Sequence, residues 1–174
     1  MLLNEGDLSK LSHRVNNFMA TLTLCSDILL ENDDEEMRGI LARTVKEMSR
    51  FWAYVNFLYR NKSISANLEQ GVQEVEGLPK PLDRVFAYEL IQGGIKLGAK
   101  QYSIEIGKSQ SGKQVIVYRD NGPGFREEVI KEIGSIQQSG SAGCGLGLLV
   151  IFKLAEQNNF RFVLEKNCAK LIEI

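Results

Sequence analysis

The chain holds one histidine, three cysteines, three prolines and one tryptophan in 174 residues, and its formal net charge is only −1. Each scarcity excludes something. A single histidine rules out a metal site built from several imidazoles, and it leaves His13 as the sole candidate for histidine chemistry. Cys25, Cys144 and Cys168 are odd in number and far apart, so they form no CxxC redox or zinc pair and point to reduced thiols. A net charge near zero argues against a nucleic-acid-binding protein. No apolar run approaches the ~20 residues of a membrane span. In MLLNEGDLSK, charge arrives too early for a signal peptide. A cytoplasmic location without membrane association is therefore expected. What remains is an ordinary composition, 44% hydrophobic and 25% charged. A chain of this length buries roughly 70% of its unfolded surface, enough for one domain or one domain with an appendage.

Glycine is unevenly spread. Of 16 glycines only Gly6, Gly39, Gly71 and Gly77 precede residue 90, and the other twelve lie between Gly93 and Gly147. Long helices are expected first and a loop-bearing α/β domain later. Leu8, Leu11, Val15, Phe18, Leu22, Cys25 and Leu29 recur at alternating spacings of 3 and 4, a heptad stripe that predicts a helix over 7–30 with Asp7 as its N-cap. The run ENDDEE breaks this helix and starts the next, with acids where the helix dipole favours them. Met37, Leu41, Thr44, Met48, Phe51, Val55 and Leu58 continue the pattern over 34–61. Two such helices make an antiparallel hairpin. Leu24, Ile28, Leu30, Ile40, Val45 and Trp52 are surplus to its seam, and dimerisation into a four-helix bundle would bury them.

Residues 61–80 are polar and aperiodic, a linker with room for one short strand. Pro79 and Pro81 introduce a helix over 82–98. YSIEI (102–106) and QVIVYRD (114–120) read as strands around the turn KSQSGK. DNGPGF (120–125) is a loop, residues 126–134 a short helix, and SIQQSGSAGCG a second loop. LGLLVIFKLAEQ (146–157) is an apolar helix, and FRFVLEK and AKLIEI are a closing pair of strands. The domains expected are a hairpin at 1–62, a linker at 63–81 and an α/β sandwich at 82–174, an α+β chain as a whole.

Two glycine-rich stretches carry the chemistry. Gly122-Pro123-Gly124 follows Asp120 at the end of an apolar strand, and Gly143-Cys144-Gly145-Leu146-Gly147 opens a helix. Glycines at a helix start let backbone N–H groups approach phosphate, and the helix dipole favours that anion. Asp120 can accept a hydrogen bond from an amine such as that of adenine. No GK[ST] follows, so this is no P-loop, and no βαβ unit follows, so it is no Rossmann start.

In this order and spacing, DNGPGF resembles the G1 box and GCGLGL the G2 box of the GHKL ATPases, whose members include histidine kinases, gyrase and Hsp90. YELIQGGIKLGA (88–99) sits where that group has its N box. LSHRVNNFM (11–19) resembles the H box of sensor histidine kinases, in which the phosphoaccepting histidine lies on the first helix of a dimerising hairpin. The resemblance covers most of the chain, without the usual sensor and membrane parts. It implies a dimeric four-helix bundle followed by a sandwich of the GHKL type, and a nucleotide pocket lined by Glu89, Asp120, Gly122, Gly124, Gly143, Gly145 and Gly147. Leu11 at d and Val15 at a place His13 at the outward f position. Asn17, one turn later, lies beside the imidazole. In related kinases an amide or hydroxyl at that place orients a water for phosphatase activity.

The departures from the family pattern shape the expectation. The residue after the histidine, acidic in ordinary members, is Arg14, which cannot take a proton but can stabilise an incoming phosphoryl group. The N-box asparagine, a Mg²⁺ ligand, falls on Gly93, followed by Gly94. The segment 126–142 is short and offers only Arg126 and Lys131 as cations. The resemblance therefore lies closest to dimeric histidine phosphotransferases with a degenerate ATP site. These carry a phosphoryl group on the histidine, here His13 with Arg14 and Asn17 beside it, and exchange it with response-regulator receiver domains. No cofactor or resident metal is required, because each receiver brings its own acidic Mg²⁺ site. Two readings stay open beside this one: a sensorless histidine kinase using ATP and Mg²⁺, and a non-catalytic pseudokinase that docks a regulator.

Overall fold

The computed structural model describes residues 5–31, 34–60, 74–131, 133–134 and 146–174. Its elements run α1 (Glu5–Glu31), α2 (Glu35–Arg60), α3 (Leu82–Lys96), β1 (Tyr102–Lys108), β2 (Gln114–Asp120), α4 (Glu127–Lys131), α5 (Gly147–Gln157), β3 (Phe160–Glu165) and β4 (Cys168–Glu173). The class is α+β, with helices and a four-stranded antiparallel sheet. The chain divides into two compact units, Met1–Leu68 and Glu69–Ile174.

In the first unit α1 and α2 pack together. The apolar stripe faces the seam: Phe18, Cys25 and Phe51 are buried, while Leu11, Val15, Leu22, Leu41 and Met48 are half-buried. The Phe18 and Phe51 rings meet edge to face, centroids 5.7 Å apart, a geometry that suits the ring quadrupoles. Asp34 starts α2. Its Oδ1 accepts from the backbone N–H of Glu36 at 2.9 Å and of Met37 at 3.3 Å. Two of the helix's orphan donors are thus satisfied, and Glu35 and Glu36 place negative charge in the first turn. Asp7, expected as the cap of the first helix, lies inside α1, which already runs from Glu5. A cap contributes only about 1 kcal/mol, too little by itself to fix where a helix begins.

The second unit is a two-layer sandwich. The sheet order is β1-β2-β4-β3, with Ile104 opposite Tyr118 and Ile106 opposite Ile116. Phe162 pairs with Leu171, and Leu164 with Ala169. Alternation puts Ile116, Tyr118, Ala169, Leu171, Phe162 and Leu164 on one buried face. α5 packs against β3, and α3 lies against α5 and β1. Leu82, Val85, Phe86, Leu90, Leu149, Val150 and Leu154 supply the helical side of this core. Phe86 meets Phe162 edge to face at 6.3 Å. The helical layer covers edge strand β1 less fully, so Tyr102 and Ile106, on the core face by register, are 47% and 49% exposed.

The helix expected to reach residue 98 ends at Lys96, for a backbone reason. Gly98 takes φ +97°. The N–H of Gly98 then donates to Ile95 O at 3.0 Å and that of Ala99 to Gly94 O at 2.9 Å, the paired bonds of a Schellman stop. Residues 74–80 form turns with no strand. The rest of the expected linker strand, 61–73, lies outside the described residues.

Candidate functional site

The first candidate site lies on α1. His13 is exposed at the outward position that the heptad assigns it. One turn later Asn17, also exposed, places its Nδ2 3.3 Å from His13 Nε2. Arg14 is drawn elsewhere. Its guanidinium carbon sits 5.3 Å from the Phe18 ring centroid, a cation–π contact on the seam side of the helix. Its Nε is buried without a hydrogen-bond partner among the described residues. The helix thus brings Asn17 to the imidazole and stacks the adjacent cation on an aromatic ring.

The second candidate site surrounds the end of β2. Asp120 Oδ1 accepts the backbone N–H of Gly122 at 2.8 Å, closing an Asx turn. Its Oδ2 accepts from Tyr118 Oη at 2.8 Å, and the same hydroxyl lies 3.0 Å from Leu90 O on α3. Burial, reinforced by the Asp120 carboxylate, pushes the Tyr118 phenol well above its ordinary range. Asn121 ties the loop to the start of β1. Its Oδ1 accepts the N–H of Lys100 at 2.8 Å and of Gln101 at 3.0 Å.

Several glycines are closely packed here. A Cβ on Gly94 would fall 2.6 Å from Tyr118 Oη and 2.7 Å from Asp120 Oδ2. Gly124 has φ +80°, and a side chain there would collide with Lys166 O. Gly147, the first residue of α5, faces the carboxylate of Glu89 so closely that a Cβ would overlap it. Gly122 is tight as well, with Asp120 Oδ1 2.9 Å from its would-be Cβ. Gly93 is different: a Cβ there meets nothing within 4 Å among the described residues.

The fold thus joins Asp120 with Gly122 and Gly94, and Glu89 with Gly147. Gly143 and Gly145 lie outside the described residues. Tyr118 was missed as a site residue although its signal is plain. It stands two positions before Asp120 on one strand, hence on the same face. Among the described residues no group of three His, Cys, Asp or Glu side chains could hold a metal ion. No described helix is long and apolar enough to cross a membrane. Chemically, the first site offers an exposed nucleophilic imidazole, and the second offers a glycine-rich turn whose carboxylate is already engaged by two internal donors. No protein-family model and no curated protein matches the chain.

Proposed function

We propose that this chain is a dimeric histidine phosphotransferase that carries a phosphoryl group on His13 and exchanges it with receiver domains of response regulators in the cytoplasm. One observation carries the reading: the only histidine is exposed on the outward face of a 27-residue helix, with an amide 3.3 Å from its Nε2. The imidazole lone pair attacks the phosphorus of a receiver's aspartyl phosphate. An N–P bond forms as the acyl P–O bond breaks, and the aspartate carboxylate leaves. Positioning and charge neutralisation supply most catalysis in such transfers. The receiver brings its own acidic cation site, and Arg14 would have to leave the Phe18 ring to reach the phosphoryl group.

The second unit is read as a GHKL-type domain that has given up nucleotide chemistry. Gly93 supplies no oxygen where the family pattern has a Mg²⁺ ligand, and hard cations need such oxygens. Both oxygens of Asp120 already accept protein hydrogen bonds. Dimerisation through the hairpin is favoured by its uncovered apolar residues, since Leu24 is 59%, Val45 46% and Trp52 45% exposed.

The test is a transfer assay with receivers charged by acetyl phosphate, run with and without Mg-ATP. Wild-type protein should take up phosphate in both, and His13→Gln in neither. Labelling by Mg-ATP alone would favour the kinase reading. Failure of every charged receiver to donate, with His13→Gln preserving regulator function, would favour the docking reading.

A further inference from the structure

We propose that Asn17 is the positioning residue that selects the tautomer of His13, an inference that rests on reading His13 as the phosphoacceptor. Asn17 Nδ2 lies 3.3 Å from His13 Nε2. An amide nitrogen is only a donor, so Nε2 receives the bond with its lone pair and the single ring proton sits on Nδ1. Free imidazole side chains favour the opposite tautomer. An acceptor beside Nδ1 would fix the proton by holding Nδ1–H. Arg14 cannot serve in that way. A guanidinium has five donors and no acceptor, and this one lies over the Phe18 ring. The selection therefore comes from the Nε2 side.

The arrangement has a chemical consequence. A 3.3 Å contact at an exposed site is long for an N–H donor, so it yields readily to an electrophile. The Nε2 lone pair stays on the Asn17 amide until a phosphorus atom replaces it. The Nε2–P bond then forms, the acyl P–O bond breaks with its electron pair leaving on the carboxylate, and the Nδ1 proton of the phosphoimidazolium passes to water.

The single histidine of the chain makes the test direct. Long-range ¹H–¹⁵N spectra of the labelled full chain at about pH 8.5, where an ordinary imidazole is neutral, resolve the two ring nitrogens. The wild type should show Nδ1 protonated in excess of a free histidine. Asn17→Ala should lower the Nδ1–H to Nε2–H ratio about threefold, the factor expected from one weak hydrogen bond. Asn17→Asp, which substitutes an acceptor, should reverse the preference. A wild-type ratio equal to that of free histidine, or one unchanged in both variants, overturns the assignment. Receiver-to-His13 transfer rates are measured on the same samples. A tautomer shift without any transfer supports the assignment and defeats the phosphoacceptor reading. Transfer with no tautomer shift does the reverse.

Discussion

At the residue scale, the adjacent glycines of α3 have opposite reasons for being glycine. Gly94 is pressed against Tyr118 and Asp120, so Gly94→Ala must displace a buried hydroxyl and a carboxylate. It should cost about 1–3 kcal/mol, the range for overpacking a filled site. Among the described residues nothing crowds Gly93. Gly93→Ala should leave stability unchanged or raise it by up to about 1 kcal/mol, the helix-propensity difference. Paired urea denaturations read both values, and equal effects would contradict this division. Tyr118→Phe removes the one hydroxyl proton within reach of both Asp120 Oδ2 and Leu90 O and should cost about 1–2 kcal/mol. The raised phenol also gives a pH signature. Its folded pKa exceeds the unfolded value near 10, so the unfolded state loses its proton first and stability falls as pH rises above about 10. Tyr118→Phe should flatten that fall. None of this pairing of neighbours was legible from a count of glycines. The i, i+2 relation of Tyr118 and Asp120 was legible, whereas the approach of α3 to both needed the tertiary fold.

At the element scale, periodicity carried most of the information. The heptad stripe predicted both hairpin helices to within a few residues, because seam burial and helical period agree along their length. β2 spans the seven residues QVIVYRD as expected, since alternation on a half-buried strand leaves little freedom of register. Helix ends were read less well. Asp34 caps α2 with two backbone bonds, whereas Asp7 sits within α1, although the two are the same residue type. Asp34→Ala should cost about 1 kcal/mol, and Asp7→Ala should lose no cap, a contrast that thermal unfolding measures. The end of α3 depended on the left-handed turn at Gly98, a backbone event that side-chain pattern does not encode. The meeting of Glu89 with Gly147 joins residues 58 positions apart and no local rule anticipates it.

At the scale of the whole molecule, the uncovered Leu24, Val45 and Trp52 make self-association of the hairpin a measurable expectation. Sedimentation velocity should show a dimer, and Val45→Glu with Trp52→Glu should shift it to monomer with helix content retained. A monomeric wild type at micromolar concentration would remove the bundle from the proposal. Acid should weaken the second unit. Hydrogen bonds from Arg84 and Lys80 hold the Glu74 carboxyl below its ordinary 4.5, and Lys170 with Cys168 does the same for Glu165. Depressed carboxyls contribute stability above pH 4.5 that is lost as pH falls through their folded pKa values. Both carboxyls are solvent-exposed, so the effect should be small and diminish in high salt. Denaturation midpoints at pH 7 and pH 3, at two ionic strengths, check it.

The space at Gly93 decides which substitutions the helix accepts. Under the proposed reading, the position that would carry a cation ligand is a glycine, and the described residues around it leave room for a side chain. Among the described residues nothing fills the space beside it. A change at this one position would meet no steric opposition, whereas the same change at Gly94 would need Tyr118 and Asp120 to move first. The two neighbours therefore differ in tolerance: among the described residues one has room for a side chain, and the other is locked by its contacts.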